Sequence, residues 1–135
     1  MEVLRWKARF AVLWMIEALG MSVFMFLFFM EPGIIEGIIS GEIEGSQISE
    51  GLMFYYAIFW FIPWILAFLS LTLKDSANRW TNFVLGILFV IFLAIGLIEQ
   101  TIEGKSAAIL VDYSLGIVAA ALIAWFAWKW PKQEV

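Results

Sequence analysis

Three acidic side chains lie inside or at the edges of long apolar stretches of the sequence, namely Glu17, Glu99 and Asp112. An ionised carboxylate is costly within hydrocarbon, so such residues are typical of a binding site, a proton path or an interhelical hydrogen bond. Asp112 also precedes small residues at steps of four, which favour close packing of that helix face against a neighbour. The acids therefore predict either a polar cavity or hydrogen bonds between helices.

Two tyrosines and one arginine complete the candidate binding residues. Tyr55 and Tyr56 are expected at the depth of Glu99 and Asp112, and Gln100 adds an amide, so these five side chains are predicted to share a polar cavity suited to a cation. Alternatively, both acids lie among lipid headgroups and the tyrosines form an ordinary interfacial belt. Arg79 is predicted either to bind a lipid phosphate or simply to anchor the chain at the membrane surface.

Four apolar runs carry these residues, at about 10–30, 52–73, 80–98 and 107–128. Each has roughly the 20 residues that a helix needs to cross the hydrocarbon core. In a chain of 135 residues, 64% hydrophobic and 18% aromatic residues exceed what a soluble domain can bury. The sequence thus predicts one all-α domain, an antiparallel transmembrane four-helix bundle that crosses the cell membrane several times.

The polar segments between the runs predict connections. Residues 31–51 are acidic and rich in Gly, with Ile at spacings of three to five, which is typical of a short amphipathic helix in the interface. Ser46 or Ser49 is the predicted N-cap of the second span. The stretch 74–79 is predicted to be a polar turn, and Ser70 just before it is expected to bond its own helix backbone.

Glu17 lies seven residues after Phe10, the predicted start of the first span. At about 1.5 Å per residue it would be ~10 Å from the cytoplasmic interface, with no basic residue near its depth. We therefore expect an uncharged carboxyl that donates a hydrogen bond to another helix. A structural role and a binding role are equally compatible with this position.

The sequence lacks Cys and His altogether. Disulfides, thiolate chemistry and typical zinc sites are therefore excluded, and no cofactor or metal is expected. No nucleophile with a neighbouring base and no phosphate-binding loop is visible, so we do not expect an enzyme. Nucleic acid is not an expected partner, since the formal net charge is -4.

Several short motifs follow one another in an order that resembles a family of small four-helix prokaryotic integral membrane proteins of unknown function. The most specific is Asn78-Arg79-Trp80-Thr81-Asn82, and the others are Leu13-Trp14, Pro32-Gly33, Glu50-Gly51-Leu52, Ile62-Pro63, Leu69-Ser70 and the segment 125–130. This resemblance implies an architecture and no activity. In addition, segment 17–22 is locally similar to the first helix of small multidrug resistance transporters, where a membrane Glu binds protons and cationic drugs.

Two functions are compatible with these features. The first is binding or transport of a cation or small amphiphile within the helix bundle. The second is a non-enzymatic membrane module that binds membrane lipid or stabilises a partner membrane protein. No internal repeat is visible, so transport would require a homo-oligomer.

The basic residues are distributed unequally between the two sides of the predicted bundle. Only Lys105 falls on one side, whereas the other has Arg5, Lys7, Arg9, Lys74, Arg79, Lys129 and Lys132. Basic loops remain in the cytoplasm, so both chain ends are predicted to be cytoplasmic.

Single cysteines introduced at Glu44 and Gln133 test this orientation. Because the chain has no native Cys, the label reports only the introduced position. An impermeant maleimide added to intact cells is expected to label position 44, and to label position 133 only after the membrane is permeabilised. The reverse pattern would show the opposite orientation.

Overall fold

The computed structural model describes residues 2–130. In chain order its elements are α1 (Glu2–Phe29), α2 (Ile34–Ile39), β1 (Glu42–Ile43), β2 (Ser46–Gln47), α3 (Glu50–Thr72), α4 (Asp75–Ile102) and α5 (Ala107–Lys129). The four long helices α1, α3, α4 and α5 are long and apolar enough to cross a membrane. The predicted all-α four-helix fold is thereby confirmed, and the chain is a multi-pass membrane protein.

The helices are not packed equally against one another. Helix α1 packs against α3 on one side and against α5 on the other, and α5 packs in turn against α4. Helices α3 and α4 barely meet, although only residues 73–74 separate them in the chain. The spatial order is therefore α3, α1, α5, α4, with a weakly packed seam between α3 and α4.

Helix α1 begins at Glu2, eight residues before the predicted start. The first turns contain basic residues, and one of them, Lys7, has a hydrogen-bond and ion-pair partner at the end of the bundle. Lys7 Nζ donates to Leu73 O at 3.0 Å and lies 3.5 Å from a carboxylate oxygen of Asp75. Glu17 consequently lies roughly 22 Å from the start of its helix, at about 1.5 Å per residue, and its depth below the membrane interface stays a prediction.

The polar stretch 74–79 is not the predicted turn, because α4 already begins at Asp75. Asn78 and Asn82 lie one helical turn apart on α4, and both are buried. Polarity alone indicates a surface loop here, whereas these two amides face the interior of the bundle. The third span is therefore longer than predicted at both ends.

A buried hydrogen-bond network around Asn82 joins α1, α3 and α4. Asn82 Oδ1 accepts from Trp14 Nε1 at 2.7 Å and from Ser70 Oγ at 3.3 Å. Asn82 Nδ2 donates to Asn78 Oδ1 at 2.6 Å, and Asn78 Nδ2 donates to Ser70 O at 2.6 Å. The Ser70 hydroxyl thus bonds a neighbouring helix, and the expectation that it bonds its own backbone is wrong.

The connection between α1 and α3 contains a short helix, as the isoleucine spacing predicts. Only Ile34–Ile39 is helical, and the hairpin that follows lies outside every predicted element. The hairpin loop is Glu44-Gly45, whose φ angles of 48° and 79° suit a tight two-residue turn. Ser49 Oγ accepts from Leu52 N at 3.1 Å, which confirms Ser49 as the N-cap of α3.

Both ends of the described chain lie at the same end of the bundle. Trp6 stacks on Trp130 with ring centroids 6.5 Å apart, and Lys7 reaches the turn between α3 and α4. We call this the basic end, and the opposite end, which contains α2 and the hairpin, the acidic end. Cytoplasmic placement of the basic end stays a prediction, and Lys132 and position 133 lie outside the described residues.

The basic half of the bundle is filled by side chains. Phe10 and Trp14 are buried, and the Trp14 ring meets Phe89 edge to face with centroids 5.0 Å apart. Helix α4 approaches α5 so closely that a Cβ on Gly86 would lie 2.9 Å from Ala124 N. This half therefore has a continuous core supported by the Asn82 network.

Replacement of Trp14 by Phe tests the network. Trp14→Phe removes one donor while Asn82 Oδ1 keeps the bond from Ser70, so we expect a loss of about 0.6 to 2 kcal/mol in unfolding free energy. Reversible unfolding in mixed micelles measures it. Trp64→Phe, on the exposed face of α3, is the matched control; an equal loss in both variants would assign the effect to ring size.

Candidate functional site: an acidic cavity between the helices

A cavity of about 280 Å³ occupies the acidic half of the bundle. All four long helices line it, together with Ile43 and Glu44 of the hairpin. It lies where α3 and α4 separate, because the seam leaves space there that other helix pairs fill. The packing order α3, α1, α5, α4 is thus compatible with a filled core in the basic half and a cavity in the acidic half.

Two acids enter this cavity between α1 and α5, each opposite a glycine of the other helix. Asp112 Oδ1 lies 3.9 Å from the position that a Cβ on Gly20 would take. Glu17 Oε2 lies 3.5 Å from the corresponding position on Gly116. The absent side chains leave room for the carboxyl groups. Glu17 thus shares its cavity with Asp112, as the cation-binding alternative from the sequence requires.

Glu17 is only 3% exposed, and its Oε1 has no hydrogen-bond partner among residues 2–130. The expected hydrogen bond to another helix is not made by this oxygen. Gln100, 9% exposed, also lines the cavity, and its Oε1 is likewise buried without a partner in the described chain. The sequence predicts that the Gln100 amide adds to a polar cavity at this depth, and the structure places Gln100 in the cavity lining.

The structure also brings Glu99, Tyr55 and Tyr56 to the cavity. The two tyrosine rings contact each other with centroids 5.8 Å apart, and both remain substantially exposed. Five of the six predicted binding residues thus line one cavity, namely Glu17, Tyr55, Tyr56, Glu99 and Asp112. That they bind a ligand stays a prediction.

Aromatic rings form much of the remaining wall. Phe24 meets Tyr113 edge to face at 5.3 Å, and a Cβ on Gly96 would lie 2.5 Å from the Tyr113 ring, so this ring needs a glycine beneath it. Phe59 and Phe92, 4.9 Å apart, meet across the seam. These rings are not distinguishable in sequence from the many aromatic residues that face lipid.

Arg79 is the predicted site residue that the structure places elsewhere. It lies at the basic end, where its Nε donates to Ala127 O at 3.1 Å and its guanidinium lies 5.5 Å from the Trp80 ring centroid. It therefore joins α4 to α5 and has no part in the cavity. Its binding of a lipid phosphate stays a prediction.

The acidic end of the bundle is held together by polar contacts between its loops. Lys105 Nζ lies 3.8 Å from Glu44 of the hairpin and 4.0 Å from Glu103. Glu31 Oε1 accepts from Ser106 N at 3.0 Å, which ties the end of α1 to the start of α5. This hydrogen bond lowers the pKa of Glu31, because it stabilises the ionised carboxylate.

The acids of the cavity do not form a metal site of the usual kind. Within residues 2–130, no three acidic side chains are grouped so that they could hold a metal ion. A bound Ca²⁺ usually needs six to eight oxygen ligands, and Mg²⁺ retains several waters. Carboxyl groups beside aromatic rings are better suited to an organic cation.

Comparison with known proteins adds no relative to this picture. No protein-family model, curated protein or solved structure matches the chain. The resemblance carried by the short motifs therefore stays a prediction.

The Glu31 contact predicts a pH dependence of stability. A carboxyl whose pKa is lowered in the folded state contributes stability above its unfolded pKa, ordinarily 4.5, and loses it as pH falls through the lower folded value. We expect the melting temperature of Glu31→Gln to lie slightly below that of the parent at pH 7 and to converge with it below pH 4.5.

Thermal unfolding in detergent between pH 3 and pH 7 measures this difference. Glu36→Gln, an exposed acid of α2, is the control for the loss of one negative charge. A difference between parent and Glu31→Gln that stays constant over the whole range would rule out the ionised hydrogen bond.

Proposed function

We propose that this chain binds a small organic cation with an apolar part in the cavity between its helices. The observation that supports this most directly is the meeting of Glu17 and Asp112 in a cavity otherwise lined by aromatic side chains. We also propose that the protein resides in the cell membrane, with its basic end in the cytoplasm.

The charge of the lining favours a cation. Glu17, Glu44, Glu99 and Asp112 contribute to it, and no Lys or Arg of the described chain does. Lys105 lies nearby and pairs with Glu44 at the acidic end. Since charges interact more strongly in a protein interior than in water, the net acidic lining favours a positively charged guest.

The aromatic wall and the volume favour an organic guest of modest size. The cavity of about 280 Å³ is near the lower end of the ~300 to 1,000 Å³ that ligand pockets usually have. Aromatic faces attract cations and bury apolar groups. A ligand that combines both properties would use the acids and the rings together.

Binding is better supported than transport. Transport needs access to the site from both sides of the membrane, whereas the core of Phe10, Trp14 and Phe89 and the Asn82 network fill the basic half of the bundle. A ligand in the cavity would have to pass this packed half. The proposal is accordingly a binding protein.

A second candidate is a non-enzymatic membrane module that holds lipid. A shallow apolar groove between α1 and α3, which includes Met15, Leu19, Trp64 and Phe68, favours contact with an acyl chain. This candidate ranks second because a bundle whose helices pack unequally is expected to have lipid-facing grooves. Buried acids, in contrast, are not expected in such a bundle.

Isothermal titration calorimetry of the purified protein in micelles tests cation binding, with octylammonium and octyltrimethylammonium as probes and micelles alone as the blank. We expect saturable binding of at least one cation. Asp112→Asn and Glu17→Gln should each weaken it about tenfold or more, because a bound cation favours the ionised form of each carboxyl and each variant removes one such group from a poorly solvated site.

Glu36→Gln is the control, since it removes an acid outside the cavity and should leave the affinity unchanged. Thermal unfolding checks that all variants are folded. The proposal fails if neither probe binds saturably above the micelle blank, or if Glu36→Gln weakens binding as much as the cavity variants.

A further inference from the structure

The cavity holds oxygen acceptors that lack donors. Glu17 Oε1 and Gln100 Oε1 come from different helices, α1 and α4, and neither has a hydrogen-bond partner in residues 2–130. Both side chains are more than nine-tenths buried. Buried polar atoms are normally paired, and an unpaired one costs free energy that a suitable guest would recover.

Hydrocarbon cannot supply the missing donors. Lipid tails have none, and the cavity is lined mainly by the four helices that are long and apolar enough to cross a membrane. When a cationic guest holds the Glu17 carboxyl in its ionised form, both unpaired atoms are acceptors, so the guest that satisfies them must bring N–H or O–H bonds. Charge adds a second condition, since the acids of the lining have no Lys or Arg beside them in the described lining.

Organic cations divide into two classes by these criteria. A quaternary ammonium ion has the charge and fits aromatic faces, but it has no N–H and would leave both oxygens unpaired. A protonated amine has the same charge and up to three N–H donors. Only the second class meets both conditions.

We infer that the cavity selects a protonated amine with an apolar substituent, whose ammonium group lies beside Asp112 and donates N–H groups to the Gln100 amide oxygen and to the acids of the lining. This inference rests on the proposed function and specifies its ligand class. The apolar substituent packs against the rings of the wall, such as Phe24 and Phe59.

A matched pair of probes separates the two ligand classes. Octylammonium and octyltrimethylammonium share the chain and the charge and differ in N–H donors. Calorimetry as above is expected to give an affinity at least about tenfold higher for octylammonium, because unmade hydrogen bonds to charged groups are costly. Octanol, which has no charge, should show no saturable binding.

Gln100→Leu tests the assigned acceptor. The change removes an unpaired buried polar group and keeps a similar volume, so the fold should be retained or stabilised. The preference for octylammonium should fall at least about threefold, with the affinity for octyltrimethylammonium nearly unchanged. Gln47→Leu, in the exposed hairpin strand β2, is the control and should keep the full preference.

Three results would overturn the inference. Equal binding of both cations would refute the donor requirement and leave the proposed cation site intact. A preference that Gln100→Leu does not change would refute the assigned acceptor. If neither cation binds, the proposed function fails together with the inference.

Discussion

A polar side chain inside a bundle surrounded by lipid must find its partner within the protein, because hydrocarbon offers neither donors nor acceptors. In the basic half this requirement is met: the amides of Asn78 and Asn82 bond each other, and Trp14 and Ser70 complete the set. In the acidic half, Glu17 and Gln100 each keep an oxygen without a partner in the described chain. The network of the basic half thus supplies its own hydrogen-bond partners, whereas two oxygens of the acidic half still lack a partner within the described chain.

Glycine has opposite effects in the two halves. At Gly86 it allows α4 to approach the backbone of α5, which tightens the core. At Gly20 and Gly116 it leaves space that carboxyl groups of the facing helix enter. The same small residue therefore closes one helix pair and creates room in another, depending on the side chain opposite. Composition alone does not separate these roles.

The sequence suffices to predict the four helices, their number and the bundle, because apolar length is a strong and local signal. It also places Glu99, Asp112, Tyr55 and Tyr56 at one depth, where the structure brings them to one cavity. It fails where position depends on neighbours. That Glu17 lines the same cavity is one of two alternatives from the sequence, and the packing of α1 on α5 decides it.

The ends of the helices were less predictable for a related reason. The charged start of α1 and the polar start of α4 both lack apolar periodicity, yet both are helical because Lys7 and Asn78 find partners on α3. The hairpin at Glu44-Gly45 is a turn of two residues within an acidic segment, and such a short element leaves little pattern.

The packing order has a consequence for how the molecule is assembled. Helix α1 is synthesised before α3, α4 and α5, but one of its two large packing faces is covered by α5. Until α5 has entered the membrane, that face of α1, with the Glu17 carboxyl on it, has only lipid or the insertion machinery as a neighbour. Completion of this bundle therefore waits for the synthesis of α5, and contacts between distant parts of the chain, which form slowly, come last.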